Sequence, residues 1–179
     1  MFFKGNHLVT KLPNSYKKNL NSLNHIINCI YVHNTTINDK INDVDNMNDV
    51  IKFLNENSLV YLATEGLDGN AKVRPILYYF EENGKPYFCT SNTKPMYKEL
   101  VKNSNFEITT ATPEFAWIRI SGEVEFISDL TIKQKVIESN ELVKSLYQSG
   151  DNPEFEVFTI SGNAVIADFS GNPPKTYKI

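Results

Sequence analysis

Histidine is nearly absent from this sequence and arginine is scarce. The three histidines, His7, His25 and His33, all fall in the first 33 residues, and none follows. That leaves the rest of the chain without Ser–His or Cys–His nucleophiles, histidine-ligated zinc or a histidine general base. Cysteine occurs twice, at Cys29 and Cys89, far apart and in no C-x-x-C pattern. Neither a disulfide framework nor a zinc site is implied, and no metal is expected. Cys89, inside the apolar run 86–91, reads as a small buried hydrophobe. No apolar run reaches the roughly 18 residues of a membrane-spanning helix. The N-terminus shows no apolar core with a small-residue cleavage site, so the expected compartment is the cytoplasm and no membrane partner is expected. Positive charge is also thin beyond residue 46: residues 47–179 carry eleven lysines and two arginines against eighteen acids. An acidic body of this kind argues against nucleic-acid binding, which needs a basic footprint.

The composition, 41% hydrophobic and 22% charged over 179 residues, fits one globular domain with a real core. Residues 1–46 differ from the rest, being rich in asparagine, lysine and threonine with no sustained period. They read as a poorly specified N-terminal extension ending in the polar run 34–46. From Met47 the signals sharpen. Met47, Val50, Ile51 and Leu54 recur at helical spacing. The β-rich run 58–64 meets a returning strand 71–80 through Asp68-Gly69, and Asn83-Gly84 leads into a third strand at 87–90. A helix over about 94–103 follows, with Met96, Tyr97, Leu100 and Val101 on one face. Strands are then expected at 106–112 and 115–127, the second bent at Gly122. One helix is expected over 129–147 with Asp129 as its cap, then strands at 154–160 and 163–169, with the tail Ser170-Gly171-Asn172-Pro173-Pro174 ending the sheet. Short antiparallel strands with inserted helices predict a mainly β fold with α additions, a small barrel.

Three stretches carry candidate chemistry. Both arginines, Arg74 and Arg119, lie in strands, whereas lysine serves nearly everywhere else. Guanidinium offers a planar fork for phosphate or carboxylate that lysine lacks. On the 115–127 strand, Phe115, Trp117, Arg119 and Ser121 share one side. That side suits a flat ligand with polar edges, an amphipathic edge or a subunit interface. The segment Thr90-Ser91-Asn92-Thr93-Lys94 runs from a strand into a helix, which makes either an anion site or an ordinary cap.

In order and spacing, four stretches resemble the pyridoxamine 5′-phosphate oxidase-like family of FMN-binding split barrels. They are Tyr61–Thr64 with Asp68-Gly69, Val73-Arg74-Pro75, Tyr87–Lys94 with Tyr97–Leu100, and Trp117–Gly122, and the resemblance spans roughly residues 47–179. It implies a six-stranded antiparallel split β-barrel with flanking helices, forming a homodimer with FMN in clefts between subunits. Carried over by motif, Val73, Arg74 and Pro75 would line the flavin and its phosphate arm. Thr90, Ser91 and Lys94 would bind ribityl or phosphate oxygens. Trp117 and Arg119 would face the cofactor cleft, from the partner subunit if the dimer supplies them.

The implied activity is FMN-dependent oxidoreduction of an unidentified small molecule, with NAD(P)H as reductant and no assigned catalytic side chain. The true oxidases hold pyridoxal phosphate through an arginine-bearing C-terminal extension that this sequence lacks, so pyridoxamine phosphate oxidation is not expected. The resemblance is closer to short members and to those associated with nitroimidazole reduction, yet the histidine the latter use is missing. Alternative readings are a non-enzymatic flavin-binding or redox-sensing protein, a haem-binding relative of the same barrel and a cofactor-free interaction module. A deazaflavin would suit Arg74 and Lys94 as FMN does.

Overall fold

The first described element is a helix, α1, over residues 47–56 of a computed structural model that describes residues 47–179. The N-terminal extension 1–46 and its polar run lie outside the described residues. Val50 and Leu54 of α1 are fully buried, as their spacing predicts. Strand β1 (Leu59–Glu65) alternates strictly, with Val60, Leu62 and Thr64 inward and Leu59 and Tyr61 exposed. It turns through Gly69, at φ 79°, into β2 (Ala71–Glu82). Asp68 fixes that turn by accepting from Asn70 N–H at 3.1 Å and Lys72 Nζ at 2.8 Å. Asn83 and Gly84 both have positive φ, 56° and 77°, the geometry that matches the twist of a two-residue hairpin, and β3 (Lys85–Ser91) follows.

Helix α2 (Pro95–Lys102), β4 (Asn105–Ala111) and β5 (Trp117–Ile127) come next. After them come helices α3 (Leu130–Ser139) and α4 (Glu141–Tyr147), then β6 (Phe155–Ala167) and β7 (Lys175–Lys178). The sheet runs β3-β2-β1-β4-β5-β6-β7, and β3 pairs back onto β6. Strands β1 to β6 therefore close into a six-stranded antiparallel barrel, with β7 beside the second half of β6. The interior is filled by Leu62, Phe88, Ile108, Ile118, Ile120 and Phe158, together with side chains of α1 and α2. A second apolar cluster lies outside the barrel, where Val136, Ile137 and Val143 of α3 and α4 pack on Tyr87, Phe155 and Val157. Tyr177 on β7 donates to Asp49 Oδ2 of α1 at 3.0 Å, and burial helps to push its phenol up to about 12.

Five expectations change. The strands expected at 154–160 and 163–169 are one strand, because Gly162 lies opposite Gly122 and the two backbones approach without breaking the ladder. A Cβ on Gly122 would clash with the Ser161 carbonyl oxygen, so the close approach needs glycine. The helix expected over 129–147 breaks at Asn140, whose side chain accepts from Leu142 and Val143 N–H and caps α4. Asp129 caps α3 as expected. The segment 170–174 does not end the sheet: β6 stops at Ala167 and the chain returns as β7 directly after Pro174. Phe115 lies outside β5, in the preceding turn at φ 66°. Finally, the β2–β3 register shifts between Tyr78 and Phe80, so Phe80 joins Tyr79 on the outer cluster while Tyr78 stays in the barrel.

Replacing Gly122 with alanine should cost about 3 kcal/mol through steric strain at Ser161. Urea unfolding of Gly122→Ala against wild type measures it, and an unchanged midpoint would contradict the close approach.

Candidate functional site

A cavity of about 850 Å³ opens between β2, the end of β3, the start of α2 and α4. Its size falls in the range of small-molecule pockets, about 300–1,000 Å³. Val73, Arg74, Pro75, Thr90 and Lys94, expected from sequence to bind one ligand, all line it. The hairpin geometry brings them together, since β2 and β3 are neighbours and α2 begins four residues beyond Ser91.

The phosphate-like end has a defined chemistry. Thr90 is 2% exposed and its Oγ1 has no hydrogen-bond partner. A buried hydroxyl left unmatched costs about 1–3 kcal/mol, which a ligand oxygen would relieve. Lys94 holds the N-cap position of α2 with no side-chain cap bond, and Pro95 follows it. No side chain caps α2; the Lys94 and Tyr97 N–H groups donate to the Ser91 and Lys94 carbonyls and Pro95 has none, which leaves the Met96 N–H of the first turn for an anion. Among the described residues Lys94 makes no ion pair, whereas Lys72 is held by Asp68 at 2.8 Å. Ser91 is buried but does not line the cavity; its Oγ is 2.7 Å from Thr93 Oγ1 and accepts from Thr93 N–H.

Arg74 is engaged on its inner side. Nη2 donates to Glu99 Oε2 at 2.6 Å, and Nη1 donates to Thr64 Oγ1 and to the Lys72 carbonyl. Glu99 belongs to α2 and is 4% exposed, occupying the apolar face where Val101 was expected; Val101 is instead 60% exposed. Sequence reasoning missed Glu99 and Thr64 as site residues. The available signal was a carboxylate three residues after Met96, at core-facing helical spacing.

The other end of the cavity is apolar and aromatic, walled by Leu77, Tyr79, Leu142, Leu146 and Tyr147. Cys89 lies there too, 3.3 Å from the Tyr79 hydroxyl. Burial pushes the Cys89 thiol above its usual range, and burial likewise raises the Tyr79 and Tyr147 phenols. All three stay neutral near pH 7, so this end provides no thiolate nucleophile.

Trp117 and Arg119 do not reach this cavity. They lie on β5, where Arg119 pairs with Glu107 at 3.1 Å on the open face of the sheet. Register aligns Pro75, Tyr61, Thr109 and Arg119 in one row across β2, β1, β4 and β5. Leu59, Tyr61 and Val73 are exposed around that row, at 48%, 47% and 66%.

The model of the family described as pyridoxamine 5′-phosphate oxidase like matches residues 45–165. The chain belongs to this family. Among solved structures, a NimC/NimA family protein from Clostridium acetobutylicum is 31% identical, with a TM-score of 0.69 over 76% of this chain and 94% of its own. A pyridoxamine 5′-phosphate oxidase-related, FMN-binding protein from Nostoc punctiforme shares the fold at 14% identity, with a TM-score of 0.53 over 66% of this chain and 78% of its own. So does a haem-binding protein from Mycobacterium smegmatis, at 15% identity with a TM-score of 0.56, over 68% of this chain and 52% of its own. No curated protein matches the sequence. The six-stranded barrel expected of the family is the one observed. Among the described residues no cluster of histidine, cysteine or acidic side chains would hold a metal, and no helix is long and apolar enough to cross a membrane.

Two measurements test this site. Arg74→Ala should cost about 3 kcal/mol because it strands a buried carboxylate, whereas Arg74→Met combined with Glu99→Leu should stay within about 1 kcal/mol of wild type. Thermal melts of the three proteins compare them. In a Cys29→Ser background, alkylation of Cys89 should be slow at neutral pH and still accelerating beyond pH 9, as the raised thiol requires; a plateau near neutrality would contradict it.

Proposed function

We propose that this chain is an FMN-binding oxidoreductase that works as a homodimer and moves reducing equivalents between NAD(P)H and a small molecule. The observation that carries the reading is the buried, unpartnered Thr90 hydroxyl beside the unpaired Lys94 and the uncapped α2. A phosphate would complete all three: Thr90 donates its O–H, Lys94 adds a charge-assisted bond, and the Met96 N–H with the partial positive charge of the α2 N-terminus adds to it. The family match and the likeness to an FMN-binding protein support flavin as the phosphate's carrier. Val73 and Pro75 would wall the ring on the β2 side, and the apolar end would exclude water from its reactive edge. FMN, when bound, supplies hydride and single-electron chemistry, and the protein contributes placement and electrostatics.

The second copy has a stated job in this reading. Trp117 and Arg119 lie away from the cavity of their own chain, on a sheet face with exposed Leu59, Tyr61 and Val73. Burying that face against a partner's would remove apolar surface from water, and would carry each chain's Trp117 and Arg119 toward the other's cavity. Haem is the weaker occupant, because no histidine lies among the described residues to ligate its iron.

Gel filtration of the protein mixed with FMN should leave yellow flavin absorption in a dimer-sized peak. Lys94→Ala should weaken FMN binding by about ten- to a hundredfold, the value of one charge-assisted bond. NAD(P)H should bleach the bound flavin, and continuous turnover with an acceptor separates an enzyme from a storage protein. A colourless protein in excess FMN would refute the flavin reading, and a Soret band on adding haemin would point to haem instead.

A further inference from the structure

We infer that Thr64 and Glu99 are positioning residues that set the angle at which Arg74 meets the phosphate end of the cavity. This rests on the FMN reading of that cavity. Arg74, Thr64 and Glu99 form a closed ring of hydrogen bonds. Arg74 Nη1 donates to Thr64 Oγ1, Arg74 Nη2 donates to Glu99 Oε2 at 2.6 Å, and Thr64 Oγ1 donates to the same Glu99 oxygen at 2.7 Å. Nη1 also donates to the Lys72 carbonyl at 3.3 Å, so the guanidinium is held at three acceptors. These bonds leave Nε–H and one Nη2 hydrogen of the five donors for a ligand.

Exposure sorts the ring. Thr64 and Glu99 are 6% and 4% exposed, whereas the Arg74 side chain is 23% exposed and lines the cavity. Glu99 reaches the cavity wall beside Arg74, whereas Thr64 lies behind both, so the anchor is buried and the guanidinium is the more open member of the ring. Thr64 does not line the cavity at all, so any effect it has on a ligand passes through Arg74 and Glu99. As a stabilising device the ring is a poor one, since an apolar residue at position 99 would pack among Met96 and Leu100 with no charge to desolvate. As an orienting device it is effective: a planar fork held at both Nη atoms keeps its remaining donors in one direction. Lysine, a rotatable point charge, has no comparable geometry.

The test is FMN affinity, followed by flavin fluorescence quenching well below the melting temperature, in parallel with thermal melts. Thr64→Val removes the hydroxyl without changing any charge and should raise the Kd for FMN about fivefold. Thr64→Ser, which restores the hydroxyl, should restore the affinity. In an Arg74→Lys background, which keeps Glu99 paired but has no fork, Thr64→Val should alter Kd by less than about twofold. Thr159→Val serves as the control, because that buried hydroxyl donates to the Pro86 carbonyl and lies outside the cavity. It should lower the melting temperature and leave Kd alone. The inference is overturned if Thr64→Val lowers the melting temperature while Kd stays at the wild-type value, or if its effect persists undiminished beside Lys at position 74. Wild-type protein that binds no FMN would bring down the flavin reading itself, a result distinct from either of these.

Discussion

The pairing of β3 with β6 is the contact on which the rest of this molecule depends. Five residue pairs, from Tyr87 opposite Thr159 to Ser91 opposite Phe155, join segments almost seventy residues apart and turn an open meander into a barrel. Closure removes both sheet edges over that length and buries Phe88 and Phe158 against each other, with ring centroids 5.5 Å apart. The ladder continues as Asn92 N–H donating to the Glu154 carbonyl at 3.0 Å, and the Asn92 side chain reaches the Pro153 carbonyl at 2.7 Å. Thr90 and Lys94, on either side of Asn92, are consequently held by the barrel seam. The strand that closes the core and the loop that presents the anion-binding groups are the same segment of chain.

A second constraint is where positive charge is left unspent. Arg74 is committed on its inner side to Glu99, Lys72 to Asp68 and Arg119 to Glu107. Lys94, at the start of α2, is the cavity-lining cation with no acidic partner among the described residues. The free charge, the helix N-terminus and the orphaned Thr90 hydroxyl thus belong to one cavity, to which α4 contributes an apolar wall. Asn140 makes that wall possible. It stops α3 and caps α4, so that Leu142 and Leu146 line the cavity.

Much of this was legible in the sequence because the signals are local. Alternation in β1, the Asp68-Gly69 and Asn83-Gly84 turns and the spacing of Val50 and Leu54 involve residues within a few positions of each other, and each element formed where expected. The family resemblance grouped Val73, Arg74, Pro75, Thr90 and Lys94, and they line one cavity because β2 pairs with β3 and the loop after β3 leads into α2. Local reading failed where a distant partner intervened. Gly162 reads as a strand end, yet Gly122 opposite it lets the strand run on. The bulge at Tyr79 shows itself only through its register with β3, and it sends Phe80 to the face that strand parity denies it.

By itself, then, the sequence determined the antiparallel hairpins, the helix starts, the absence of histidine chemistry from the barrel and a family whose pattern fits. Tertiary structure alone decided that β3 meets β6, that Arg74 is anchored by Glu99 and Thr64, and that Trp117 and Arg119 do not line the cavity of their own chain. Period and parity tell which residues share a face. They do not tell which face closes inward or which distant side chain it finds there, because that depends on how the whole barrel buries its apolar surface at once.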